Sequence, residues 1–242
     1  MKLFRIGLVL MLAVVSANAQ LVNVDFGFAG PGMATMSGLA AAPDVENGGF
    51  WNGVNETTVL PYGLKDSTGE DTSITVSVGG AALWANASWN PYQLDGALLN
   101  DYVIANGAAA TVEIAGLVPG GQYKIYVYSS VGAKPYWWPA EITPNDTLWD
   151  FGTGITKNIS GAETLDAAPY FNEAHQGVVW DFFEVTANEN GIILGSFVGG
   201  PNGHPDVPEG YMDGIQIQAI PEPATVSLIV LGFASLLRKR NA

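Results

Sequence analysis

Apolar residues in this chain recur at every second position wherever the pattern is legible, and that period decides which folds the chain can enter. Ile74, Val76 and Val78 alternate with Thr75 and Ser77, and Val112 and Ile114 with Thr111 and Glu113. Tyr123, Ile125 and Val127 alternate with Lys124, Tyr126 and Tyr128, and Ile215 and Ile217 with Gln216 and Gln218. Successive side chains of an extended chain point to opposite faces, so each run predicts a strand of an antiparallel sheet with one face in a core. Leu21 to Phe26, Val178 to Val185 and Ile192 to Val198 are denser apolar runs, expected as central strands. No window carries a sustained helical period flanked by caps. Leu117-Val118-Pro119-Gly120-Gly121 reads as a tight connection between two strands, Asn188-Glu189-Asn190-Gly191 as a hairpin joining Val185 to Ile192, and Gly132 to Pro169 as a loop-rich insertion. The expected fold is all-β: one antiparallel β-sandwich domain over residues 20–219, flanked by an N-terminal signal helix and a short hydrophobic C-terminal helix.

Composition removes several functions. With no cysteine, the chain forms no disulfide, no Cys-ligated zinc or iron–sulfur site and no thiol nucleophile. Nine Lys+Arg stand against 23 Asp+Glu, a net charge of −14, and most of the basic residues lie at the termini. Residues 20–219 contain Lys65, Lys124, Lys134 and Lys157, no arginine and 22 of the acids, a net charge of −18. Nucleic acid is therefore excluded as a partner, because neutralising phosphates takes clustered cations.

The two ends read as addresses. Residues 1–19 carry Lys2 and Arg5, an apolar run from Ile6 to Val15, and the small-x-small sequence Ala17-Asn18-Ala19, the pattern of a secretory signal peptide cut by signal peptidase before Gln20. At the other end, within residues 220–242, Pro221-Glu222-Pro223 precedes an apolar segment from Ala224 to Leu237 and a basic stop, Arg238-Lys239-Arg240. As a helix that segment is about 21 Å long against a hydrocarbon core of about 30 Å, a deficit that snorkelling Arg and Lys offset. The basic cluster is expected on the cytoplasmic side of the inner membrane, holding the domain outside.

Those residues, Pro221, Glu222, Pro223, Arg238, Lys239 and Arg240, resemble the PEP-CTERM sorting signal of Gram-negative bacteria, although the basic run is short and its arginines are separated by Lys239. The resemblance implies recognition by an exosortase, transient membrane anchoring, and delivery to the cell surface or to an extracellular matrix associated with polysaccharide. A second resemblance rests on Asn23-Val24-Asp25-Phe26-Gly27, the Gly-Leu-x-Pro-Gly-x-x-Tyr pattern at Gly116 to Tyr123 taken as a strand pair, the Asn-Gly turn before Ile192, and Asp213-Gly214-Ile215-Gln216-Ile217. These are similar to jelly-roll modules of the galactose-binding-like type, which implies a jelly-roll topology and carbohydrate binding.

All seven tryptophans, at 51, 84, 89, 137, 138, 149 and 180, lie within residues 20–219. Sugar rings stack apolar C–H faces on aromatic planes while neighbouring amides and carboxylates bind hydroxyls, and loops on a rigid sandwich display such groups. Trp84, Trp89 and Tyr92 share a stretch with Asn86, Asn90 and Gln93; Trp137 and Trp138, between Pro135 and Pro139, read equally as edge cover and as a sugar platform; Trp180 is expected in the core. A glycan bound by the domain is expected on Trp137 and Trp138. A calcium ion, the one cofactor the residues suggest, is expected on Asp25 and Asp213, placed on first and last strands that pair; Asp66, Glu70 and Asp71 read as a solvated acidic turn. The chain is expected not to be an enzyme: His175 and His204 are its only histidines, and no nucleophile elbow or phosphate loop occurs. The alternative is a secreted polysaccharide-active enzyme using two carboxylates, though Asp181 and Glu184, three apart on a strand, point to opposite faces.

Overall fold

The structure, a computed structural model, describes residues 20–26, 49–54, 63–86, 101–129, 146–159, 176, 180–201 and 209–221. The described strands are β1 (Leu21–Phe26), β2 (Trp51–Val54), β3 (Thr75–Asn86), β4 (Asp101–Ala115), β5 (Gln122–Tyr128), β6 (Thr147–Asp150), β7 (Thr156–Ile159), β8 (Trp180–Thr186), β9 (Ile193–Gly199), β10 (Glu209–Met212) and β11 (Gly214–Ile220). They form two sheets, a five-stranded one in the order β2-β1-β11-β5-β8 and a six-stranded one in the order β10-β4-β9-β6-β7, with β3 paired to β4. Pairing is antiparallel as expected, save that β2 lies parallel to β1.

Without β2, β3 and β10, the remaining strands lie as β1-β11-β5-β8 and β4-β9-β6-β7. Numbered one to eight along the chain, they read 1-8-3-6 over 2-7-4-5, the jelly-roll arrangement of two Greek keys. Period-two alternation fills the space between the sheets. Val22, Val24 and Phe26 of β1, Ile215 and Ile217 of β11, and Tyr123, Ile125 and Val127 of β5 meet Val112 and Ile114 of β4 and Ile193 and Phe197 of β9. Trp149 of β6 is fully buried there, its ring stacked 4.9 Å from Phe197 and 6.0 Å from Phe151.

Several expectations are corrected. The turns at 117–121 and 188–191 are tight, but neither closes a hairpin or a strand pair: β4 and β5 belong to different sheets, and so do β8 and β9. Both are arches across the sandwich, and they hold each other. Leu117 N–H donates to Gly191 C=O (3.1 Å), Gly120 N–H to Ala187 C=O (3.1 Å) and Ala187 N–H to Gly121 C=O (2.9 Å). β8, expected to be central, is the edge of its sheet among the described strands; its apolar density serves its faces rather than two neighbouring strands. The stretch expected as an insertion contains β6 and β7, half of one Greek key, whose four-residue lengths are too short to show alternation. Trp84, read only as part of an aromatic and amide-bearing stretch, lies in β3 opposite Val103 of β4, beyond a register shift between Gly80 and Ala82 that interrupts the pattern. Residues 1–19 and 222–242 lie outside the described residues, as do Trp137 and Trp138, and of the terminal motif only Pro221, exposed after β11, is described.

Candidate functional site

The strand directions sort the connections. The arches at 116–121 and 187–192 and the β6–β7 turn at 151–155 close one end of the sandwich. At the other end the chain leaves β1 after Phe26, β2 after Val54, β3 after Asn86, β5 after Tyr128, β7 after Ile159 and β9 after Gly199. Each of those connections is long. The segment containing Trp137 and Trp138 departs from Ser129 and returns at Asp146, both buried at this end.

Asp213 forms the corner where the chain passes from β10 to β11, and so from one sheet to the other. Its carbonyl accepts from Phe26 N–H (2.8 Å) and its own N–H donates to Tyr128 C=O (3.0 Å), while Asp25 faces Gly214 in register. The expected pairing of first and last strands therefore holds, and it brings Asp25 and Asp213, both buried, to neighbouring backbone positions. Beside them on the six-stranded sheet, Tyr102 and Tyr211 meet edge to face at 5.2 Å, and the Tyr211 hydroxyl donates to Glu209. Burial, then the negative charges of Asp213 and Glu209, push the Tyr102 phenol above its usual pKa. Among the described residues no three of His, Asp and Glu cluster as a metal site, so an ion on Asp25 and Asp213 would take its other ligands from carbonyls, amides or water.

The outer face of the five-stranded sheet was expected to meet solvent at its polar positions, and around β1, β11 and the end of β5 it does not. Asn23, Gln216 and Tyr128 are fully buried, and Trp51, Tyr126 and Trp180 nearly so. Three strands carry one directional chain of hydrogen bonds: Tyr128 Oη donates to Gln216 Oε1, Gln216 Nε2 to Asn23 Oδ1 (2.8 Å), and Asn23 Nδ2 to Phe50 C=O (3.0 Å). Asn52 fastens the neighbouring loop, giving Nδ2–H to Asn23 C=O (2.9 Å) and Lys65 C=O (2.7 Å) and accepting from Lys65 N–H (2.8 Å). Trp180 is buried as expected, but on this face against Tyr126, not in the core between the sheets. Lower on the face, Lys124 and Lys157 bring their ammonium groups to 3.8 and 4.6 Å from the centre of the Phe182 ring, and Lys157 also pairs with Asp181 (2.8 Å).

Asn23, Trp51, Tyr128 and Gln216 escape a reading from sequence because alternation marks the outward position, not whether something covers it. The available signal was an outward row of Tyr and Gln where solvent-facing strands carry charge.

No protein-family model matches the sequence, and no curated protein is significantly similar to it. Among solved structures, the plant receptor-like kinase ANX2 is similar over 85% of this chain and 50% of its own at 12% identity, with a TM-score of 0.47. The ANXUR1 extracellular domain from Arabidopsis thaliana is similar over 84% of this chain and 42% of its own, at 14% identity and a TM-score of 0.44. TmCBM61, solved in complex with β-1,4-galactotriose, is similar over 60% of this chain and 88% of its own, at 16% identity and a TM-score of 0.26. The chain spans about half the length of the plant proteins. Likenesses this distant carry no argument about ligands; the class of the domain, a jelly-roll β-sandwich, stands on its own strand order.

Proposed function

We propose that the chain is an exported surface or matrix protein of a Gram-negative bacterium, freed of its leader by signal peptidase, sorted through its PEP-CTERM-type end by an exosortase, and binding extracellular polysaccharide through its jelly roll. The observation that supports binding is that the connection bearing Trp137 and Trp138 leaves and re-enters the sandwich at the same end as those that follow β3, β7 and β9. Loops held by a rigid scaffold can present aromatic planes and amides to a sugar without the scaffold reordering. Support for export comes from the paired terminal segments and from the acidic, aromatic-bearing domain between them, which has a net charge of −18. Such a domain repels polyanions, so the expected ligand is a neutral glycan.

Two measurements test the two halves. The whole chain is expected in the membrane or extracellular fraction of a producing cell that has an exosortase, whereas a version ending at Ala219 is expected to be released; identical partition of both into the cytoplasm refutes the sorting reading. On a glycan array the chain is expected to retain neutral polysaccharide and to lose at least tenfold in affinity on Trp137→Ala with Trp138→Ala. Undiminished retention by that double variant removes the two tryptophans from the site, and a flat array refutes glycan binding.

A further inference from the structure

Trp51 opens β2 on the outer face of the five-stranded sheet, paired with Asn23, and its residue is 4% exposed. Its indole Nε1 is buried and donates to no acceptor among the described residues. A buried N–H without a partner keeps the whole penalty of its lost hydration, so such a group calls for an acceptor. Trp149 Nε1 is also without an acceptor among the described residues, but that ring is stacked with Phe197 and Phe151 inside the apolar core, where no polar molecule is accommodated. Trp51 has the opposite surroundings. The backbones of β2 and β5 are three strand spacings apart, about 14 Å, yet the Trp51 and Tyr128 rings meet edge on at 6.4 Å. Both side chains therefore lean across β1 and β11, over the row that holds Asn23, Asp25, Gly214 and Gln216.

We infer that the Trp51 indole N–H is the anchoring donor of a second, enclosed saccharide subsite on this face, with Asp25 on the same face as the acceptor. The inference rests on the carbohydrate reading and deepens it by naming a site apart from Trp137 and Trp138. A sugar hydroxyl suits the pair because it accepts from the indole and donates to the carboxylate at once. A carboxylate or sulfate cannot donate and is repelled by Asp25, and an ammonium cannot accept from the indole. The glycine at 214, opposite Asp25, leaves that position of the face without a side chain. Burial of the indole limits contact to a hydroxyl edge rather than a stacked ring.

The test follows the Trp51 indole resonance of the ¹⁵N-labelled full chain, identified by its loss in Trp51→Phe, during titration with D-galactose, D-glucose and D-mannose and separately with D-galacturonate. A saturable shift with a neutral hexose, not reproduced by galacturonate, and weakened about tenfold by Asp25→Asn, which exchanges a charged acceptor for a neutral one, is expected. An indole signal unmoved by every hexose means that water alone satisfies it and overturns the subsite, as does an equal response to galacturonate. Because Trp51→Phe removes buried contacts, Asp25→Asn carries the test if that variant does not fold. Array binding undiminished in both variants overturns this subsite and leaves the wider carbohydrate reading standing; loss of all array binding by the unaltered chain overturns the wider reading.

Discussion

At the scale of single residues, carboxylates do three different things here. Asp66 caps a turn: its Oδ1 accepts from Thr68 N–H (2.9 Å), Thr68 Oγ1 (2.6 Å) and Glu70 N–H (3.1 Å). Burial alone would raise its pKa, but the hydrogen bonds from Thr68, Glu70 and Gly69 outweigh it and hold the carboxyl below 3.8. A depressed carboxylate stabilises the fold above its unfolded pKa, and that contribution is lost as pH falls through the folded value. Amide exchange at Thr68 and Glu70 should therefore speed up as the carboxyl titrates below pH 3.8, and Asp66→Asn should show the faster exchange already at pH 6. Asp181 instead pairs with Lys157 across the open edge between β8 and β7, which separates it from the exposed Glu184 in role as well as in facing. Asp25 and Asp213 are buried at neighbouring backbone positions, which keeps them the pair on which a calcium ion is expected. Calcium is expected to raise the melting temperature with its concentration as RT ln(1 + [L]/Kd), and Asp25→Asn or Asp213→Asn to abolish the rise. Melting curves that coincide in calcium and in chelator dispose of the ion.

At the scale of elements, the two arches decide how the sheets are joined. Gly191 has a φ of +70°, and a Cβ there would lie 2.2 Å from the Leu117 carbonyl oxygen, which belongs to the other arch. Gly120 has a φ of +73°, and a Cβ there would meet nothing within 4 Å. Gly120→Ala should thus cost only backbone strain, about 1 kcal/mol, whereas Gly191→Ala must also part the arches and should cost about 3 kcal/mol or more. Urea unfolding of the two variants separates these outcomes; equal losses would mean that the arches do not depend on each other. The turn chemistry at both sites was legible in the residues, since Pro-Gly and Asn-Gly mark a reversal. Which strands the reversal joins was not legible, because a tight turn can close a hairpin within one sheet or an arch between two, and the choice rests on contacts between residues far apart in the chain, Leu117 to Gly191.

At the scale of the molecule, charge is the dominant long-range term. With a net −18 over residues 20–219 the folded domain repels itself, and screening over about 10 Å at 0.1 M salt should relieve that. The melting temperature is expected to rise by a few degrees between about 10 mM and 0.2 M salt, equally for NaCl and KCl; a flat response would show that the acids are too well dispersed to matter. Alternation in β3, β4, β5 and β11 was enough to establish strands, an inner face and a sandwich, because pleat geometry is local and holds whatever the partner strand. That Asp25 and Asp213 come to neighbouring backbone positions was not local in this sense: it was expected only from the resemblance to jelly rolls, in which first and last strands pair. Tertiary structure alone decided that β8 is an edge, that β6 and β7 complete a Greek key, and that the outward row of Asn23, Gln216 and Tyr128 is buried beneath Trp51. Alternation says which way a side chain points, but only the rest of the chain, folded back over the sheet, determines what it meets there.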